Sequence, residues 1–153
     1  MHDVIPTIRG SDGSLLAASL ACFAVAGVAT AAAIDGLGLL LGATGLAVVG
    51  VYCVARYAQS VSRQTLAVTA LALWVSFLGV AGAHAVGLES IGSVAPGPAE
   101  ATVVALTAVT WATLLAAAAS TIFLGFREYG SSAPAAEPDD QMFDGDASDY
   151  STR

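Results

Sequence analysis

The chain has 153 residues, of which 56% are hydrophobic and only 11% are charged, and its formal net charge is −7 at pH 7. A soluble domain carries about a quarter charged residues, because water must solvate its surface. This composition therefore excludes an ordinary soluble domain, and the negative charge argues against nucleic acid, whose phosphates would repel the chain.

Four long apolar segments follow one another along the chain. They cover residues 14–34, 37–57, 65–87 and 101–126. About 20 apolar residues in a helix cross the roughly 30 Å of bilayer hydrocarbon, and each segment reaches that length. The runs are continuous rather than alternating, which argues against strands. The sequence therefore predicts an all-α integral membrane protein, a bundle of four transmembrane helices with short loops.

The ends of the chain differ in composition from the predicted bundle at 14–127. Residues 1–13 are expected to form a short N-terminal segment, and residues 128–153 a disordered tail. Within it, residues 131–153 contain two prolines and six acids, which are Glu137, Asp139, Asp140, Asp144, Asp146 and Asp149. Two roles remain open for it: solvation in strong salt, or docking of a cytoplasmic partner through Met142, Phe143 and Tyr150.

The arginines predict how the helices are oriented. They lie before the first segment, between the second and third, and after the fourth: Arg9, Arg56, Arg63 and Arg127. The other two connections carry acids, Asp35 in one and Glu89 and Glu100 in the other. Cytoplasmic loops are enriched in arginine and lysine. We therefore predict a multi-pass protein of the cell membrane with both termini in the cytoplasm.

The first segment has an alternative interpretation. Arg9 followed by an apolar run imitates a secretory signal sequence, and LAASLAC ending at Cys22 is similar to a lipoprotein cleavage site. The apolar run continues to Ile34, which is longer than the apolar region of a usual signal sequence. We therefore interpret this segment as a retained helix.

The basic residues are all arginine, lysine is absent, and the isoelectric point is about 4.3. With its acidic tail and its Ala/Gly/Val-rich segments, the chain resembles small four-helix membrane proteins of halophilic archaea, in which excess carboxylate aids solubility in salt. A bacterium with a GC-rich genome remains the alternative source. The resemblance is one of composition over the whole chain, and it implies no particular activity.

Small residues at helical spacing indicate faces where another helix can approach closely. Gly38 and Gly42 form a GxxxG pattern that Gly45 continues, and Gly79 and Ala83 repeat the spacing in the third segment. We favour packing between the helices of one chain as the role of these faces. The alternative is a homo-oligomer or a docking face for a membrane partner.

His84 is the candidate for a cofactor-binding side chain, and a weak one. An ionisable group inside a membrane helix is a functional candidate, because leaving it in lipid is costly. It could bind haem, relay protons or line a pore. Since it lies just before Gly87, near the predicted outer surface, we interpret it as an interfacial histidine. A haem held by two histidines would need a dimer.

Other chemistry has little support in the sequence. The apolar segments contain no acid for proton antiport, and Cys22 and Cys53 form no CxxC motif. Hydroxyl groups recur along the fourth segment, and we expect them to bond to their own helix rather than to line a path. These residues are Thr102, Thr107, Thr110, Thr113, Ser120 and Thr121. We predict no catalytic residue, no metal site and no cofactor.

These observations predict a non-enzymatic accessory or structural subunit of a membrane assembly. Its expected partners are the lipid bilayer and a second membrane protein or further copies of itself. The alternative function is a small oligomeric transporter or channel, and the third is a dimeric haem-binding membrane protein.

Overall fold

The computed structural model of the chain describes residues 9–32, 36–87 and 98–132. These residues form helices, with no strand among them. We label them in chain order as α1 (Arg9–Ala32), α2 (Leu37–Ser60), α3 (Arg63–Val86) and α4 (Ala99–Ser132).

Each of these helices is long and apolar enough to cross a membrane. The mean hydropathy of their most apolar windows lies between 1.8 and 2.1, and at most 22% of any such window is buried inside the protein. Helices α1 to α3 have 24 residues each, a length of about 36 Å. Large apolar side chains such as Leu41, Leu71 and Ile122 point outward. The described residues therefore have the architecture of an all-helical, multi-pass membrane protein.

The helix ends differ from the predicted spans by one to six residues at most places, and the start of α1 and the end of α4 differ most. Helix α1 begins at Arg9, within the segment expected to precede the bundle. Helix α4 has 34 residues and continues to Ser132, past the predicted end at residue 126 and into the segment assigned to the tail. Hydropathy marks the part of a helix that suits lipid, whereas the backbone hydrogen bonds continue into polar residues. Residues 133–153 of the predicted tail lie outside the described residues.

Helix α4 packs against α1, α2 and α3, and α1 also packs against α2. The core between them is rich in alanine, so the helices can lie close together. It consists of Phe23, Val54, Leu73, Ala112, Ala116, Ala117 and Ala119. Between α2 and α3, the hydroxyls of Tyr57 and Thr69 form a hydrogen bond of 2.9 Å.

Two glycines mark the places where α1 approaches its neighbours most closely. A Cβ atom on Gly27 would lie 2.2 Å from Cγ and 2.3 Å from Cβ of Trp111 in α4. A Cβ atom on Gly50 of α2 would lie 2.6 Å from the ring of Phe23, which is 1% exposed. Both aromatic side chains therefore occupy space that any other residue in place of the glycine would fill.

We expect Gly27→Ala to destabilise the bundle by about 1–3 kcal/mol, the usual cost of overpacking a well-packed contact. The clash involves Cβ of Trp111 as well as its ring, and Cβ cannot move without shifting the helix backbone. Thermal unfolding in detergent measures the effect.

Gly82→Ala in α3 is the matched control, because a Cβ atom there has no heavy atom within 4 Å among the described residues. Its melting temperature should be unchanged or slightly raised, since alanine favours helix. Equal melting temperatures for the two variants would contradict the close contact between Gly27 and Trp111.

Candidate functional site

The arginines gather at one end of the bundle. Arg56 lies in the last turns of α2, Arg63 begins α3, and Arg127 lies in the last turns of α4. Helix α1 also begins at this end. Leu15 in its early part packs against the cluster that contains Tyr57. We call this end of the bundle the arginine end.

A short turn connects α2 to α3 at the arginine end. Val61 donates its amide hydrogen to the carbonyl of Tyr57, at 3.2 Å, which closes the last turn of α2. Ser62 is the N-cap of α3, and its Oγ accepts a hydrogen bond of 3.1 Å from the amide of Thr65. Serine is a preferred residue at this position because its hydroxyl satisfies an amide that has no partner within the helix.

Arg127 of α4 binds the end of α2 directly. Its Nη1 donates hydrogen bonds of 2.9 Å to the carbonyl of Ala58 and 2.9 Å to the carbonyl of Val61. The last carbonyls of a helix have no amide partner within it, and they carry the negative end of the helix dipole. A guanidinium group therefore satisfies both their hydrogen bonds and their partial charge, and it joins α4 to the turn between α2 and α3.

The other arginines of this end have different surroundings. Arg63 forms an ion pair with Glu128 of α4, and both side chains are substantially exposed. An exposed pair of this kind contributes little to stability, at most about 1 kcal/mol. Arg56 is exposed and forms no ion pair with another described residue. The predicted topology determinants thus lie together, and Arg127 also links two helices.

The glycines that share helical spacing lie on exposed parts of α2 and α3. Cβ atoms built on Gly38, Gly42, Gly45 and Gly79 would find no heavy atom within 4 Å in the described part of the chain. Among the described residues these glycines therefore make no close contact with another helix, and their role in packing stays a prediction. Ala83 is half-buried. The close contacts are instead made by Gly27 of α1 and Gly50 of α2, and neither of them has another glycine four residues away.

His84 hydrogen-bonds within its own helix. Its Nδ1 lies 3.0 Å from the carbonyl oxygen of Val80, one turn earlier in α3, and the side chain is half-buried. Two residues later the helix ends, and Gly87 follows with a φ of 100°. The arrangement leaves Nε2 as the ring nitrogen that could meet water or a ligand. The described residues contain no group of three or more His, Cys, Asp or Glu side chains that could hold a metal ion.

Most threonine hydroxyls of α4 donate hydrogen bonds to carbonyls of their own helix, as we predicted. Thr110 and Thr113 donate to carbonyl oxygens of their own helix at 2.7 and 2.8 Å. Thr121 donates to the carbonyl of Ala117 at 2.8 Å and accepts a hydrogen bond of 3.1 Å from Nε1 of Trp74. These groups therefore stabilise the helices and the contact between α3 and α4 rather than forming a polar lining.

Ser120 departs from the prediction that the hydroxyls of the fourth segment bond to their own helix. It is 0% exposed, and its Oγ has no hydrogen-bond partner among the described residues. A buried hydroxyl without a partner costs about 1–3 kcal/mol. Its neighbours Ala116, Ala117 and Ala119 are buried as well, so the hydroxyl lies in apolar surroundings.

No family model, curated protein or solved structure matches this chain. Its function must therefore be argued from its own residues.

We expect Arg127→Gln to lower the stability of the protein by about 1–2 kcal/mol, because two helix-end carbonyls lose a charged donor. Hydrogen exchange should rise in the turn that contains Val61 and Ser62. Mass spectrometry of peptides from this turn, together with thermal unfolding in detergent, measures both effects.

Arg56→Gln is the control, since it removes the same charge from the same end without breaking a hydrogen bond between described residues. Unchanged exchange in the turn of the Arg127→Gln variant would show that the contact does not hold the end of α2.

Proposed function

We propose that this chain is a non-enzymatic accessory or structural subunit of a membrane assembly. The observation that supports the proposal is the position of Gly38, Gly42 and Gly45, which we call the α2 glycine face. These residues are spaced four and three apart, so they share one side of the helix. No other described helix covers that side.

Lipid surrounds the bundle, and lipid tails are as apolar as leucine, so helices in a membrane associate through close packing and hydrogen bonds. A side of a helix that lacks side chains lets a second backbone approach and gain many dispersion contacts. The α2 glycine face has this property along about two turns. A helix of a second copy or of another membrane protein fits it better than disordered acyl chains do.

The alternative functions have less support. The core between the helices is filled by aromatic, aliphatic and alanine side chains, and the threonines of α4 bond to their own backbone. A transport path would therefore have to form between copies of the chain. A dimeric haem protein would use Nε2 of His84 from each copy. Both functions stay predictions.

We further propose that the protein lies in the cell membrane with both termini in the cytoplasm. The arginines at one end of the bundle support this orientation, because cytoplasmic segments are enriched in basic residues. The opposite connections carry Asp35, Glu89 and Glu100 instead.

A single cysteine introduced by Ser151→Cys tests the orientation, in a background where Cys22 and Cys53 are replaced by alanine. A membrane-impermeant maleimide should label it in inside-out vesicles and after lysis, but not in intact cells. A cysteine introduced by Ser90→Cys, in the connection before α4, should show the reverse pattern. Labelling of position 151 from outside intact cells would contradict the proposed topology.

The partner proposal predicts that the native protein, extracted in mild detergent, co-purifies with a second copy or another membrane protein. Gly42→Ile should weaken this association about tenfold, because a branched side chain in a packed helix contact costs about 1–3 kcal/mol. Quantitative mass spectrometry of the purified material and energy transfer between labelled copies in liposomes measure the association.

Gly125→Ile is the matched control, because Gly125 in α4 also has open space around it in the described structure but lies outside the α2 glycine face. Both variants should melt at the temperature of the native protein. A native chain recovered strictly as a solitary monomer would contradict the proposal.

A further inference from the structure

A pocket lies between α2 and α4 at the arginine end of the bundle. Its volume is about 320 Å³, within the range of small-molecule sites in proteins, which begins near roughly 300 Å³. It is lined by Ala55, Ala58, Gln59, Phe123, Phe126 and Arg127.

The lining has a polar part and an apolar part. Arg127 and Gln59 supply the polar groups and lie nearest the ends of their helices. Phe123 and Phe126 supply an aromatic wall, with ring centroids 6.3 Å apart. Since Phe126 is 66% exposed, this wall continues onto the surface that faces lipid. The pocket lining therefore changes from polar to apolar along the direction in which a membrane changes from headgroups to hydrocarbon.

The charge of the pocket is positive. Arg127 directs Nη1 at two helix carbonyls, which carry only the partial negative charge of a helix end, so the guanidinium keeps a net positive charge. The lining residues include no carboxylate, and the nearby Glu128 is paired with Arg63. A guanidinium has five N–H donors, and Nη1 carries two of them. Nε and Nη2 donate no hydrogen bond to another described residue, so their donors can serve an anion.

We propose that this pocket binds the headgroup of an anionic phospholipid, with its phosphate at Arg127 and Gln59 and an acyl chain along Phe123 and Phe126. Planar guanidinium groups suit phosphate oxygens well. Basic pockets between membrane helices are known sites for anionic lipid headgroups. The inference depends on insertion in a membrane, and it is independent of any contact at the α2 glycine face.

A lipid explains both parts of the lining, and a soluble anion explains only one. Free phosphate would bind the polar groups but leave the aromatic wall uncovered. A lipid with a neutral, zwitterionic headgroup would bring its own cation close to Arg127, which is unfavourable. The pocket should therefore distinguish lipids by the charge of the headgroup.

Native mass spectrometry of the full chain tests the inference, with phosphatidylglycerol and phosphatidylcholine of matched chains present in equal amounts. The native protein should retain one phosphatidylglycerol with about tenfold preference, because only the choline headgroup brings a cation close to Arg127. Gln59→Glu should abolish the preference, because it places a carboxylate beside the phosphate without changing the size of an exposed side chain.

Gln64→Glu adds the same charge to another exposed position at the arginine end and should leave the preference unchanged. Arg127→Gln should also lose it, and the Gln59→Glu result decides the matter if that variant does not fold. Equal retention of the two lipids by the native protein, or an undiminished preference in Gln59→Glu, would overturn the inference. Neither result depends on whether the chain has a protein partner, so the two proposals can fail separately.

Discussion

Contact between helices at positions without a side chain holds α1 in this bundle. Helix α1 lies against α2 at Gly50 and against α4 at Gly27, and an aromatic ring fills the space at each contact. In lipid, burial of apolar surface gives no net gain, so stability depends on packing that acyl chains cannot match. A ring placed directly on a neighbouring backbone provides many close atom pairs, each worth about 0.1–0.2 kcal/mol. The two contacts fix α1 from both sides.

At the arginine end, the helix termini need hydrogen-bond partners outside their own helices. The link between α2 and α3 consists of Val61 and Ser62, so it can pair only some of the free carbonyls and amides at these helix ends. Ser62 satisfies an amide of α3, while Arg127 reaches across from α4 to the carbonyls of α2. The same guanidinium thus caps the end of a helix and forms one wall of the pocket, and in the proposed orientation it also marks the cytoplasmic side. These three roles are compatible because only Nη1 is committed to the carbonyls.

The described helices and their order follow from hydropathy, because a continuous apolar run of this length has few other folds. The ends of α1 and α4 could not be predicted in the same way, since helical hydrogen bonds do not stop where hydropathy falls. The cap made by Arg127 joins residues 69 and 66 positions apart. Such a contact depends on which helices become neighbours, and an arginine after an apolar run has the same sequence pattern whether it meets lipid, water or a carbonyl. The sequence singles out His84 as an ionisable side chain within an apolar segment. Its bond to Val80 is a local contact one turn back in the same helix, so it gives no information about a ligand.

The glycines show most clearly what spacing can and cannot reveal. GxxxG spacing identifies a smooth side of a helix, but it does not say which neighbour lies there. Gly27 and Gly50 lack that spacing and are nevertheless the glycines that contact aromatic rings within the bundle. Glycine in a helix costs about 1 kcal/mol relative to alanine in water, and at these two positions the aromatic packing offsets it. The α2 glycine face carries the same cost three times without such a contact among the described residues. A packed neighbour that offsets this cost must lie beyond the described part of the chain. Leu39 and Leu41 flank the glycines and are exposed, so this side of α2 is apolar enough to pack against a second membrane helix.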